Sequence, residues 1–358
     1  MKTLDLYIIK KFLGTYFLSI ILIVSIAIVF DISEKIDDFI NNNAPLKAII
    51  FDYYLNFIPY FANLFSSLFI FISVIFFTSK LAYNTEIIAI LSSGISFRRF
   101  LLPYILTATF LAAFSFSLNN YIIPSANKKR LAFEERYIRN KYINYSREIH
   151  LQIKPNQYFY VQSYNNGSKT GYKFTLEQFK NKRLISKLSA PYIQWDSTIN
   201  KWTTGPYVIR HIKENSETFE TGNAIDTSLN IYPEDFSMRD NVIESMTLGE
   251  LNQFIRKLQS QGSENVLPFR VYWHQRFAFP FSTFILTIIG VSLSSQKRKG
   301  GIGFQIGAGI ALSFSYILVM QISTKTTIGN GFNPFLGVWI PNIIYGIIAL
   351  FLYKTAPK

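Results

Sequence analysis

Six long apolar runs constrain this chain more than any other feature. They cover roughly residues 12–32, 57–78, 100–123, 271–293, 302–322 and 335–353. At ~1.5 Å per residue, each can cross the ~30 Å of a bilayer's hydrocarbon, so each predicts a membrane-spanning helix. Residues 1–11 are short and basic, with Lys2, Lys10 and Lys11. The run after them is too long for a signal peptide, and no small-residue cleavage site follows it.

A polar block, residues 124–268, separates the first three runs from the last three and holds most of the charged residues. Lys and Arg in short loops fix orientation. One side has Lys2, Lys10, Lys11, Lys80, Arg98, Arg99, Lys297, Arg298, Lys299, Lys354 and Lys358; the other has Lys35, Lys47 and Lys325. Both termini are therefore expected in the cytoplasm. The block is expected outside, in the periplasm of a bacterium.

Inside the block, residues 125–145 are charged, lack Pro and Gly, and predict a helix that continues the third span. From residue 149 to about 232 the pattern changes to short alternating segments at 158–162, 173–179, 184–188, 192–195 and 207–212. Asn165-Asn166-Gly167, Asn181, Gly205-Pro206 and Gly222-Asn223 separate them as turns. The reading is an all-β, jelly-roll-like domain, with Trp195 and Trp202 paired across a hairpin. Thr247-Leu248-Gly249-Glu250 has capping-box spacing and starts an amphipathic helix that Gly262 ends. The expected fold is an α-helical membrane protein of six transmembrane helices with this domain between helices three and four. The boundaries are 1–123, 124–268 and 269–358.

No catalytic signature is present. The chain has no cysteine, and His150, His211 and His274 share no ligand spacing. Gly301, Gly303, Gly307 and Gly309 lie in and around an apolar run and do not lead into the Gly-Lys-Ser/Thr of a phosphate loop. Gly303, Gly307 and Ala311 instead form a small-residue face for close helix packing. No cofactor or metal is expected, and energy input is expected from a partner or an ion gradient. The net charge of +14 is explained by membrane orientation rather than nucleic acid.

The loop 84–99 reads Asn-Thr-Glu-Ile-Ile-Ala-Ile-Leu-Ser-Ser-Gly-Ile-Ser-Phe-Arg-Arg. Asn84 or Thr85 suits a cap, Glu86 suits the positive end, and Gly94 suits the stop. Ile87, Ile90 and Leu91 fall on one face of the resulting short helix. Such a helix lies in the bilayer surface, or it docks into a groove of a cytoplasmic motor subunit.

This loop resembles the coupling loop of the LptF/LptG lipopolysaccharide-export permeases. Similar too are Leu4-Asp5-Leu6-Tyr7-Ile8, Pro124 with Asn127, and Trp273, Arg276 and Pro280. Arg298, Gly300 and Gly301, then Trp339, Pro341 and Asn342, complete the series along the whole chain. Leu6 departs from the Arg that such proteins often carry there. Asp5 and Ser92-Ser93-Gly94 look closer to LptG than to LptF.

The resemblance implies a non-catalytic permease paired with an LptF/LptG-like partner on an LptB-like ATPase dimer. It also implies transfer of lipopolysaccharide to LptC-like and LptA-like jelly-roll proteins. Glu86, Ile87, Ile90, Leu91, Gly94 and Arg98 would engage the ATPase. Spans one and five, with Gly303, Gly307 and Ala311, would form a gate. Lys35, Lys128, Lys129, Arg130, Arg136 and Arg276 would face lipid phosphates. Against that, Lys35 can pair with Glu34 or Asp38, and Arg130 with Glu134. Two other classes fit less well. A sensor needs a cytoplasmic output domain, and the termini leave no room for one. An ion-coupled transporter needs mid-membrane acids, which the last three spans lack.

Overall fold

The computed structural model describes residues 3–138, 147–236, 240–262, 266–295 and 301–356. Contacts divide the chain into a helical unit, Met1–Ile138 with Glu244–Leu248 and Leu267–Lys358, and a second unit, Arg139–Ile243 with Gly249–Val266.

The helical unit starts with α1, Thr3–Asn41, which at 1.5 Å per residue is about 58 Å long, more than the ~30 Å of a bilayer's hydrocarbon requires. Its buried side chains, Ile8, Phe12, Tyr16, Ile20 and Val24, recur every fourth residue and form one stripe. Between residues 17 and 30 its outer surface is also largely apolar, with Leu18, Ile21, Val29 and Phe30 exposed, as suits a helix facing lipid. α2 is a single turn, Leu46–Ala48, leading into a π-helical turn at Ile49–Tyr54, then α3, Leu55–Leu64, and α4, Ser66–Tyr83. The second predicted span is thus broken at Phe65. Ser66 and Ser67 beyond the break bond to other helices, Ser66 Oγ to Tyr16 Oη at 2.8 Å and Ser67 Oγ to Ser282 Oγ at 3.0 Å.

α5, Glu86–Ser92, precedes α6, Phe97–Ser117. A second π-helical turn, Leu118–Ile122, joins α6 to α7, Ile123–Tyr137, so the third span continues as expected into the charged stretch. The remainder of that expected helix, residues 139–146, lies outside the described residues. α8, Leu248–Ser260, follows the β strands, and α9, Val266–Ser294, α10, Gly301–Asn330, and α11, Pro334–Thr355, complete the bundle. Among the described residues six helical stretches are long and apolar enough to cross a membrane. Glycines set the closest contacts. A Cβ on Gly309 would lie 2.0 Å from Ile75 Cδ1 of α4, and one on Gly337 would lie 1.8 Å from Thr327 Oγ1 of α10. Hydrogen bonds between helices add direction: Asn342 of α11 accepts from Tyr316 Oη at 2.9 Å and donates to the Ala278 carbonyl at 2.9 Å.

The second unit holds an antiparallel sheet of β1 Arg147–Lys154, β2 Gln157–Asn165, β3 Thr170–Lys180, β4 Arg183–Asp196, β5 Lys201–Thr204, β6 Tyr207–Ile212, β7 Glu217–Gly222 and β8 Asp226–Thr227. The order is β1-β2-β3-β4-β5-β8, with β6 between β4 and β7. The segments expected at 184–188 and 192–195 are one strand. Its first half pairs with β6 and its second with β5, and Pro191 sits between the two pairings. Asn181 and Lys182, at φ 49° and 63°, turn β3 into β4 in the conformation that suits the twist of a hairpin. Trp195 does face Trp202 across β4 and β5, with ring centroids 5.3 Å apart. Trp202 is fully buried and donates to the Ile231 carbonyl at 2.8 Å, packing with Phe159, Tyr164, Phe174 and Phe236.

Candidate functional site

The first candidate is the α4–α5–α6 corner. Thr85 was a capping candidate, but its φ is +61° and its hydroxyl donates to the Asn84 carbonyl at 2.6 Å. A β-branched residue in that region is strained. Asn84 instead donates from Nδ2 to Glu86 Oε1 at 3.1 Å, steadying the carboxylate at the positive end of the helix. Gly94, at φ +86°, stops the helix in the left-handed conformation expected of it.

The apolar face of α5 is turned inward. Ile87 is fully buried with Ile8, Phe12, Leu81, Phe97, Phe100 and Tyr104, and Ile90 and Leu91 pack on the same cluster. The outward face carries Ile88, which is 57% exposed, with Ala89 and Ser92. Ile87, Ile90 and Leu91 therefore anchor the helix to its own bundle, while Ile88 is presented outward and Glu86 is half-buried at the helix start. Periodicity named the stripe without telling which neighbour it meets.

Ser96 caps α6 by accepting from the Arg99 backbone N–H at 3.4 Å. The next residues diverge. Arg98 is exposed and donates from Nε to Tyr353 Oη of α11 at 3.3 Å. Arg99 reaches Asp5 of α1 with both tips of its guanidinium, at 2.7 Å and 2.8 Å. Asp5 is 3% exposed. Sequence reasoning used Asp5 only as a point of resemblance. Its one available signal was a lone acid in the basic segment ahead of the first apolar run.

The second candidate is the opposite end of the helical unit, where the basic residues have unlike surroundings. Lys35 pairs with Asp31 at 2.5 Å, rather than with Glu34 or Asp38, and also donates to Tyr53 Oη. Tyr53 and Tyr54 donate to the two oxygens of the same Asp31 at 3.2 Å and 3.1 Å. Burial, reinforced by the Asp31 charge, pushes both phenols well above their ordinary pKa, so both remain donors. Arg130 is buried between Glu134 at 3.7 Å and Glu244 at 3.6 Å, over the ring of Tyr60 at 4.7 Å. Tyr60 Oη donates to Glu244 Oε1 at 3.0 Å, and Asn127 donates to the Glu244 carbonyl. Arg276, 2% exposed, donates to the Met246 carbonyl at 2.5 Å and lies over the Tyr272 ring. Both arginines thus fasten segment Glu244–Leu248 to the helices. Lys128, Lys129 and Arg136 are exposed on α7. Glu244 was not anticipated, because nothing near it in sequence hints at a distant arginine.

The small-residue strip of α10 is open: a Cβ on Gly303 or Gly307 would meet nothing within 4 Å, and Ala311 is exposed. The glycine packed inside the chain is Gly309, on another face. Only 22% of the apolar stretch of α1, and of α10, is buried in the chain, against 61% for α4 and for α9. Lys297, Arg298, Lys299 and Gly300 lie outside the described residues.

Over residues 6–355 the sequence matches the family described as lipopolysaccharide export system permease LptF/LptG, a description that covers both kinds of subunit. No curated protein matches the chain.

Proposed function

The chain belongs to the LptF/LptG family of lipopolysaccharide-export permeases, and from that premise we propose that it is the non-catalytic membrane subunit of an ATP-driven exporter. It sits in the inner membrane of a Gram-negative bacterium with both termini in the cytoplasm and the β domain in the periplasm. The Lys and Arg of its short loops support this orientation. It pairs with an LptF/LptG-like subunit, and Asp5 and Ser92-Ser93-Gly94 favour the LptG-like position for this chain. An LptB-like ATPase dimer drives it. Its β domain passes the lipid to LptC-like and LptA-like jelly rolls.

The observation that carries this reading is the build of α5. Ile87 roots the helix in the bundle, while Ile88 remains outward and the half-buried Glu86 opens the short helix between two spans. That is the arrangement of a helix presented to a groove. Arg98 and Gly94 flank the same surface. The low cover of α1 and α10 supports a gate between these two helices and the partner permease, with the Gly303–Gly307–Ala311 strip at the seam. For lipid phosphates we assign Lys35, Lys128, Lys129 and Arg136, which retain exposure, and we assign Arg130 and Arg276 to the frame.

Ile88→Asp, and separately Glu86→Ala, should abolish co-purification of the ATPase while membrane levels of the chain stay unchanged. Full recovery of the ATPase with both variants would overturn the docking reading.

A further inference from the structure

We propose that Asp5 and Arg99 are positioning residues that convey displacement of the α5–α6 corner to α1. This rests on the reading above, in which α5 docks the motor. The Ile87 cluster holds α5 by apolar contact, which is not directional and permits sliding. The ion pair is different. Arg99 offers two parallel donors, both are taken, and a planar fork on a carboxylate fixes orientation as well as distance. Asp5 is almost wholly buried, so separation would strand a charge away from water. The two groups therefore travel together.

The placement gives the pair its task. Arg99 lies in the first turn of α6, directly after the corner, and Asp5 lies in the first turn of α1. α1 is among the least covered spans, and its buried stripe from Ile8 to Val24 meets the bundle mainly through apolar contact. Arg98 lies about 100° around α6 from Arg99 and bonds to Tyr353 of α11 through a single contact of 3.3 Å. One step of sequence thus sends a rigid two-point link to α1 and a looser one to α11.

The test is the whole complex, the chain with its ATPase and partner permease, in proteoliposomes containing lipopolysaccharide. ATP hydrolysis and lipid release are measured together. Asp5→Asn and Arg99→Lys should retain the ATPase and hydrolyse ATP within about twofold of wild type, while lipid released per ATP falls about tenfold, a usual size for lost coupling. The exchange Asp5→Arg with Arg99→Asp should restore much of that ratio. A ratio equal to wild type in both single variants would overturn the proposal. So would a parallel fall of hydrolysis and release that the exchange does not repair, since that marks a merely structural pair. The docking reading is judged separately by Ile88→Asp. Retention of the ATPase there and in Glu86→Ala would remove both, whereas its loss beside a wild-type ratio in both Asp5→Asn and Arg99→Lys would remove only the present inference.

Discussion

Arg276 and Arg136 are both arginines beside apolar helices, and their surroundings differ. Arg276 is enclosed by Met246 and Tyr272, while Arg136 is exposed on α7 beside Tyr137. Arg276→Met leaves the Met246 carbonyl without this donor, and should cost about 2 kcal/mol of stability, the scale of a charged hydrogen bond. A melt in detergent should show it as a lower transition temperature. Lipid crosslinking per folded molecule should stay at the wild-type level in Arg276→Met and fall in Arg136→Ala. The i,i+4 pairing of Arg130 with Glu134 was legible from spacing alone. The partners Glu244 and Asp5 were not, because ion pairs between distant segments leave no periodic trace in a sequence. Lys35 shows the middle case: an i,i+4 acid was foreseeable, yet three acids stood within reach, and Tyr53 and Tyr54 decide for Asp31 by bonding to it as well.

At the scale of elements, apolar length was the dependable signal, and all six spans followed from it. Breaks within them did not. Ser66 and Ser67 bond to neighbouring helices, and the two π-helical turns have no sequence signature. In the sheet, the segments expected separately at 184–188 and 192–195 are the single strand β4, whose partner changes from β6 to β5 between them. Glycine roles also divided by face. Gly303 and Gly307 are open, whereas Gly309 and Gly337 are where helices touch. Gly337→Val must displace Thr327, whose hydroxyl bonds to the Ser323 carbonyl at 2.7 Å. The expected loss is about 1–3 kcal/mol, the usual cost of overpacking, read as reduced yield and melting temperature in detergent. Gly303→Ala should leave both unchanged.

For the whole molecule, the contacts divide into two units, and the β sheet lies wholly in the second. Its core is its own, built on Trp202, Phe159, Phe174 and Ile193 and closed by Leu229, Ile231 and Phe236. A fragment of residues 139–266 should therefore be water-soluble, show strand-type circular dichroism, and melt cooperatively with loss of buried tryptophan fluorescence. A fragment without a cooperative transition would show that this sheet needs the membrane helices to fold.

The bare strip along α10 sets how a neighbour could hold it. Gly303 and Gly307 offer no knob to interlock, so an apposed helix can come close, backbone to backbone, without being pinned at one height. A seam of that kind works as a smooth rail. In the gate proposed above it would seal against oily chains when at rest, and would part or slip without first having to disengage interleaved teeth.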